Sequence, residues 1–249
     1  MEKEIEKFNR SISYLDHVLP NISKNKENKG LTEFGLMLFI DRTYCGLRSA
    51  QLILNQFHKD YDHGLGLIFR GIISDFFLVV NLVNYAPKSD EVNSTLLSYF
   101  KDAENMMIKI GDMEATGMYP AEVISKIREN LEEKSSRRGV IRTSVLSGIK
   151  PSISTTDIFK KLKTNSTLDE QIRKTILHAY DLWKFYSQYE HFGLSSYELT
   201  RNPFGEDFNN RIVSILKLSF FIFTICLKNL NREVEEQKLA NFLFDEICN

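Results

Sequence analysis

An apolar stripe with a period close to 3.6 residues recurs along almost the whole chain, while alternating β-branched runs bounded by turns are scarce. That pattern confines the chain to an all-α fold, a bundle in which each helix hides one face against its neighbours. Composition supplies the means: 43% of the residues are apolar, with 18 Phe and 10 Tyr, and 5 Pro and 12 Gly are too few for many short strands and turns. The 249 residues contain no internal repeat and no clear linker, so a single helical domain over 1–249 is expected. It should hold about seven to eight helices.

Ile5, Phe8, Ile12, Leu15 and Leu19 predict the first helix, which Pro20 ends. A second runs from about Thr32 to His58, apolar on most sides and therefore central. A third, about Leu65 to Tyr85, stops before Ala86-Pro87. Ser89-Asp90 can cap a fourth containing Leu96, Leu97, Phe100, Met106 and Ile110, and Pro120 suits the first turn of a fifth ending near Ser135. A short helix starts around Ser154 and runs through Leu162. Thr167 with Glu170 reads as a capping box for a long helix to about His191, and two last helices cover about Glu206–Leu230 and Arg232–Cys248. The most apolar tract, Leu218 to Leu227, is closed by Lys217 and Lys228. It is shorter than the roughly 20 residues of a membrane span, so a buried core helix and no membrane partner are expected. Cys45 and Cys226 sit in apolar runs and Cys248 has no partner at metal-binding spacing, which reads as reduced thiols of a cytoplasmic protein. The charge-alternating start, Met1 to Lys7, is not a secretory signal.

Lys and Arg number 32 against 33 Asp and Glu, which excludes overall basicity as a reason to bind nucleic acid. The charge is local instead. Residues 135–166 form a loop-rich basic insertion, and Arg137, Arg138, Arg142, Lys160 and Lys161 would suit an RNA backbone. Arg70 and Asp75 lie within the apolar run GLGLIFRGIISDFFLVVNLV, where an unpaired charge is costly. At about 100° per residue, Arg70, Ser74, Asn81 and Asn84 fall near one line, His63 and Gly66 extend it, and Asp75 lies off it. That stripe is either the helix's wet edge, with the Arg70 stem laid over apolar neighbours, or one wall of a polar cavity. Asp41 and Arg48, seven residues apart on the second helix with Arg42 beside them, could supply a counter-charge; such pairs fix helix register more often than they act in catalysis. The long helix ends in an aromatic stretch where Ser187 and His191 are one turn apart, Lys184, Tyr180 and Arg173 extend the face, and Glu190 adjoins the histidine. No G-x-S-x-G turn precedes Ser187, which argues against a serine hydrolase. The binding candidates are Arg70, Asp75, Ser187, Glu190, His191, Asp41 and Arg48.

Arg70-x4-Asp75 on an apolar helix, Pro151-Ser152 leading into a short helix, and Ser187-x3-His191 together resemble a bacterial all-helical family of unknown function. The resemblance covers roughly residues 60–195, flagged by the spacing of those motifs. Asp75 stands where Glu is commoner, and Gly193 where Pro is frequent. The resemblance implies a place in phage-defence neighbourhoods and brings no established activity; the role expected of the polar interhelical set is binding or regulation, through self-association or a partner protein. Arg173-x4-His178 is similar to the signature of HEPN ribonucleases, which would make Arg173 the phosphate stabiliser and His178 the acid and base of a metal-independent, dimeric ribonuclease. Arg10-x6-His17 fits the spacing too, and chance alone gives roughly one such match in a chain of this composition. A five-residue step turns about 140°, so Arg173 and His178 diverge on a straight helix. Lys174 stands where that signature often has a polar residue. No phosphate-binding Gly loop, H-E-x-x-H or C-x-x-C occurs, and neither a metal nor a cofactor is expected.

Overall fold

A computed structural model describes residues 2–19, 30–56, 62–84, 89–99, 102–117, 119–137, 154–190 and 207–248. Among these the fold is all-α, with ten helices and no strand. They are α1 (Glu2–Val18), α2 (Leu31–Gln56), α3 (Asp62–Val83), α4 (Ser89–Tyr99), α5 (Asp102–Thr116), α6 (Ala121–Arg137), α7 (Thr155–Lys163), α8 (Glu170–Ser187), α9 (Phe208–Asn229) and α10 (Glu233–Phe242). A 3-10 turn, Gln188–Glu190, follows α8, and a π-helical turn, Leu243–Cys248, follows α10.

Four boundaries differ from the sequence reading, one of them in the last helix, which changes from α to π at Leu243 where a single helix to Cys248 is expected. The expected fourth helix is two, α4 and α5. The long helix starts later than Thr167 because Asp169 is the cap, its carboxylate accepting from the Gln171 amide at 2.7 Å. Thr167 is turned back instead: its amide and hydroxyl both donate to Asn165 Oδ1, at 3.0 and 2.7 Å, a local turn that competes with capping. The regular helix also ends at Ser187, before the expected His191.

The chain groups into two compact units: Met1–Asn25 with Leu36–Asn81 and Thr155–Asn249, and Lys26–Gly35 with Leu82–Ser154. In the first, the core centres on Phe69, Phe76, Phe77, Phe220 and Phe223, all fully buried. α1 delivers Phe8, Ile12 and Leu15 to it, the stripe its 3.6 period requires. Tyr14 of α1 stacks on Phe242 of α10 at 4.1 Å, and Phe242 stacks in turn on Phe220 of α9 at 5.5 Å, so α1, α9 and α10 share one aromatic contact. In the second unit, the start of α2 approaches α4 so closely that a Cβ on Gly35 would lie 2.5 Å from the Leu96 side chain. α5 ends where Gly117 takes φ +62, and an exposed ion pair between Arg128 and Glu114, 2.6 Å, links α6 to α5.

The apolar tract at Leu218–Leu227 belongs to a longer helix than its own ten residues suggest. Segments His63–Val83 and Phe208–Asn229 are both long and apolar enough to cross a membrane by length and composition. In the fold 61% and 56% of their most apolar stretches are packed inside, as in core helices. Cys226 is buried, but Cys45 is exposed, against the expectation of a core thiol: it falls on the outward side of α2.

Candidate functional site

The polar stripe of α3 lies along α8, and the two helices read as a ladder. Gly66 is in contact with the Tyr189 ring, where a Cβ would come within 2.9 Å, so only glycine admits that ring. His63 meets the same ring at 5.9 Å. One turn on, Phe69 meets Tyr186 edge-on at 5.6 Å, and Arg70 Nε donates to Ser187 Oγ at 3.2 Å. The Ser187 hydroxyl donates in turn to the Trp183 carbonyl at 2.7 Å, and the Trp183 indole donates to Ser74 Oγ at 3.1 Å. The Arg70 guanidinium stands 5.3 Å from the Trp183 ring. Partial desolvation lowers the Arg70 pKa, without threatening the charge of a group so basic. Arg70 and Ser74 of the stripe are therefore half-buried and both bond to α8, whereas Asn81 is buried and His63 exposed.

Asp75 points elsewhere. It is 3% exposed, and Arg42 of α2 is its ionic partner, with Nη2 at 3.1 Å from Oδ1 in a geometry short of a hydrogen bond. Burial pushes its carboxyl up to about 6, and Arg42 offsets that only in part. Fully buried Cys226 of α9 feels the same negative charge, and desolvation together with that charge raises its thiol pKa. Of the α2 candidates, Arg42 is thus the counter-charge to α3. Arg48 is not: it bonds Asp16 of α1 at 3.3 Å, where the Tyr44 hydroxyl also donates to that carboxylate. Six residues separate Arg42 from Arg48, which turns them to different sides of α2. Asp41 is half-buried. The candidate residues thus fall into an Arg70–Ser187 group, an Arg42–Asp75 pair and an Arg48–Asp16 pair. His191 lies outside the described residues, and so do Arg138 and Arg142.

A row of aromatic rings continues the seam toward α7. Phe159 stacks on Tyr180 at 3.6 Å with planes 4° apart, and Tyr180 lies parallel to Trp183 at 5.9 Å. Phe77 closes the row from below, edge-on to Phe159 and Tyr180 at 6.3 Å each. Cations stand over the rings: Lys163 over Phe159 at 6.0 Å, Lys184 over Tyr180 at 4.9 Å, and Arg70 over Trp183. On α7, Lys161 is half-buried with its pKa lowered by desolvation, and Lys160 pairs with Asp157 at 3.5 Å. Phe159 carried no sequence signal, because its partner on α8 is distant in the chain.

The two residues of the ribonuclease signature separate as a five-residue helical step requires. Both are exposed. His178 faces a groove of about 400 Å³ between α8, α9 and the π-turn, and its Nε2 lies 3.0 Å from Ser214 Oγ; Arg173 does not line that groove, whereas Lys174 and Lys217 do. Ser214 and Lys217 were not legible as site residues, although a lysine between Leu216 and Leu218 is a polar break in an apolar face. Among the described residues no three His, Cys, Asp or Glu side chains converge as metal ligands would.

No family model, no curated protein and no solved structure matches this chain. The functional argument therefore rests on the geometry.

Proposed function

We propose that this chain is a cytoplasmic binding and regulatory component of a bacterial defence-type system, and that it works through the α3–α8 seam without catalysis. The observation that carries this reading is the aromatic row Phe159–Tyr180–Trp183 with Lys163, Lys184 and Arg70 standing over its rings. Tyr180 and Trp183 are half-buried and Phe159 is buried; partly open rings flanked by cations suit a single-stranded RNA, which presents both stacking faces and phosphates. Lys160 and Lys161, on the same short helix as Phe159, extend the positive edge.

Trp183 is the only tryptophan in the chain, so its fluorescence reports directly on the seam. Titration with a 20-mer of oligouridylate at low salt is expected to quench it, with binding that weakens steeply as salt rises. Arg70→Ala and Lys184→Ala should each weaken binding several-fold. Unchanged fluorescence and anisotropy across the titration would overturn the reading. A ribonuclease of the HEPN kind needs an arginine beside the histidine, and among the described residues none lines the groove at His178. Wild type and His178→Ala incubated with total RNA should leave equal gel patterns; cleavage by the wild type alone would restore the enzymatic reading.

A further inference from the structure

The groove beside His178 has the chemistry of a small-molecule site that the seam does not use. Its cationic end holds Lys217, half-buried on α9 and without an acidic partner among the described residues, next to the His178–Ser214 pair. Lys174 stands at the mouth, held by an exposed i,i+4 pair with Glu170 at 3.0 Å, an interaction weak enough to yield to a ligand. Thr175 and Ser214 add hydroxyls. Gln171 adds an amide, and apart from Cys248 the rest of the lining is apolar: Leu218 and Phe221 from α9, and Leu243 from the π-turn. That turn is part of the construction. Its i→i+5 bonds bring Leu243 and Cys248, five residues apart, to the same groove, whereas an α-helix would turn them about 140° apart. A concave, largely apolar space of about 400 Å³ with a few convergent polar groups is the usual form of a ligand pocket.

We infer that this groove binds a small organic anion with an apolar body, the size of a medium-chain fatty acid: Lys217 and His178 receive the anionic group while Leu218, Phe221 and Leu243 cover the body. Charge and shape together choose this class. Among the described residues the lining holds two lysines, a histidine and no carboxylate, which disfavours a cation, and the apolar side chains give a fully hydrated anion such as inorganic phosphate little to gain.

Calorimetric titration with decanoate tests this, with decyltrimethylammonium as the probe of equal tail and opposite charge. Decanoate should bind one per chain, and at least about tenfold more tightly than the cation, the worth of one charge-assisted hydrogen bond. Lys217→Met keeps the apolar stem and removes the charge; it should weaken decanoate about tenfold with an unaltered helical spectrum. In a Cys45→Ser background, decanoate should also slow modification of Cys248 by a thiol reagent. Arg70→Ala should leave decanoate binding unchanged, which separates this site from the seam. Equal binding of the two amphiphiles, undiminished binding to Lys217→Met, or competitive displacement of decanoate by oligouridylate would each overturn the inference.

Discussion

The two charges of α3, five residues apart, sit in opposite surroundings. Arg70 looks toward α8, where a serine, an indole and partial access to water accommodate a guanidinium that keeps its charge. Asp75 looks into the fold, where its partner Arg42 reaches it with a side chain that is itself 56% exposed. The difference lies in what each charge can be given at a helix interface. A delocalised cation can be laid across an aromatic ring and bonded through one nitrogen, while a compact carboxylate needs donors that the apolar face of α3 does not provide. The first arrangement leaves a charge available at the surface of the seam. The second raises the carboxyl's affinity for a proton.

The sharpest way to break this contrast is Asp75→Asn. Burial raises the native carboxyl from its ordinary 3.8 to about 6. The folded chain therefore holds a proton that the unfolded chain has released. Stability from this group is fully present below pH 3.8 and is lost as pH rises through about 6, a fall of up to about 3 kcal/mol. Urea unfolding of the wild type between pH 4 and 7.5 should show that step and Asp75→Asn should lack it. A step of equal size in both chains would place the buried proton elsewhere.

Arg70→Met should do less. It removes a cation over an indole and the hydrogen bond to Ser187, together about 1–2 kcal/mol, and Ser187 retains its bond to the Trp183 carbonyl. The loss should be the same at pH 5 and pH 7.5, since Asp75, whose carboxyl titrates at about 6, takes Arg42 of α2 as its partner. A pH-dependent loss would tie Arg70 to the titration of Asp75 and dissolve the distinction between the two faces.

Much of this was readable from helical periodicity. At about 100° per residue Arg70, Ser74, His63 and Gly66 fall on one line, and that line is the one that meets Tyr189, Ser187 and Trp183. Asp75 lies off it for the same reason. Partner choice was not readable: Arg42 and Arg48 have the same chemistry, and only the approach of α3 and α1 to different sides of α2 decides which acid each takes. Local competition hid the start of α8, because Thr167 had the right spacing for a cap while Asn165 offered its hydroxyl a nearer acceptor. The groove at His178 was invisible for a third reason. Its lining comes from three elements, one of them a π-turn whose register breaks the period on which the reading depends.

The smallest effect comes from Arg42→Ala, and it tests how the two faces are balanced. As an exposed member of an ion pair, Arg42 contributes under about 1 kcal/mol to stability. Its more telling role is electrostatic, for it is the one charge that opposes the desolvation of Asp75. Removing it leaves burial unopposed, so the Asp75 carboxyl should rise above about 6 and the step in stability should move to higher pH by the same interval. Stability below pH 3.8 should be nearly unchanged, because there the carboxyl is neutral in both the folded and the unfolded chain and Arg42 has no charge to face. The same pH series of urea titrations reads both quantities. A step that stays in place would mean that burial alone sets the proton affinity of Asp75 and that Arg42 lies too far into solvent to matter.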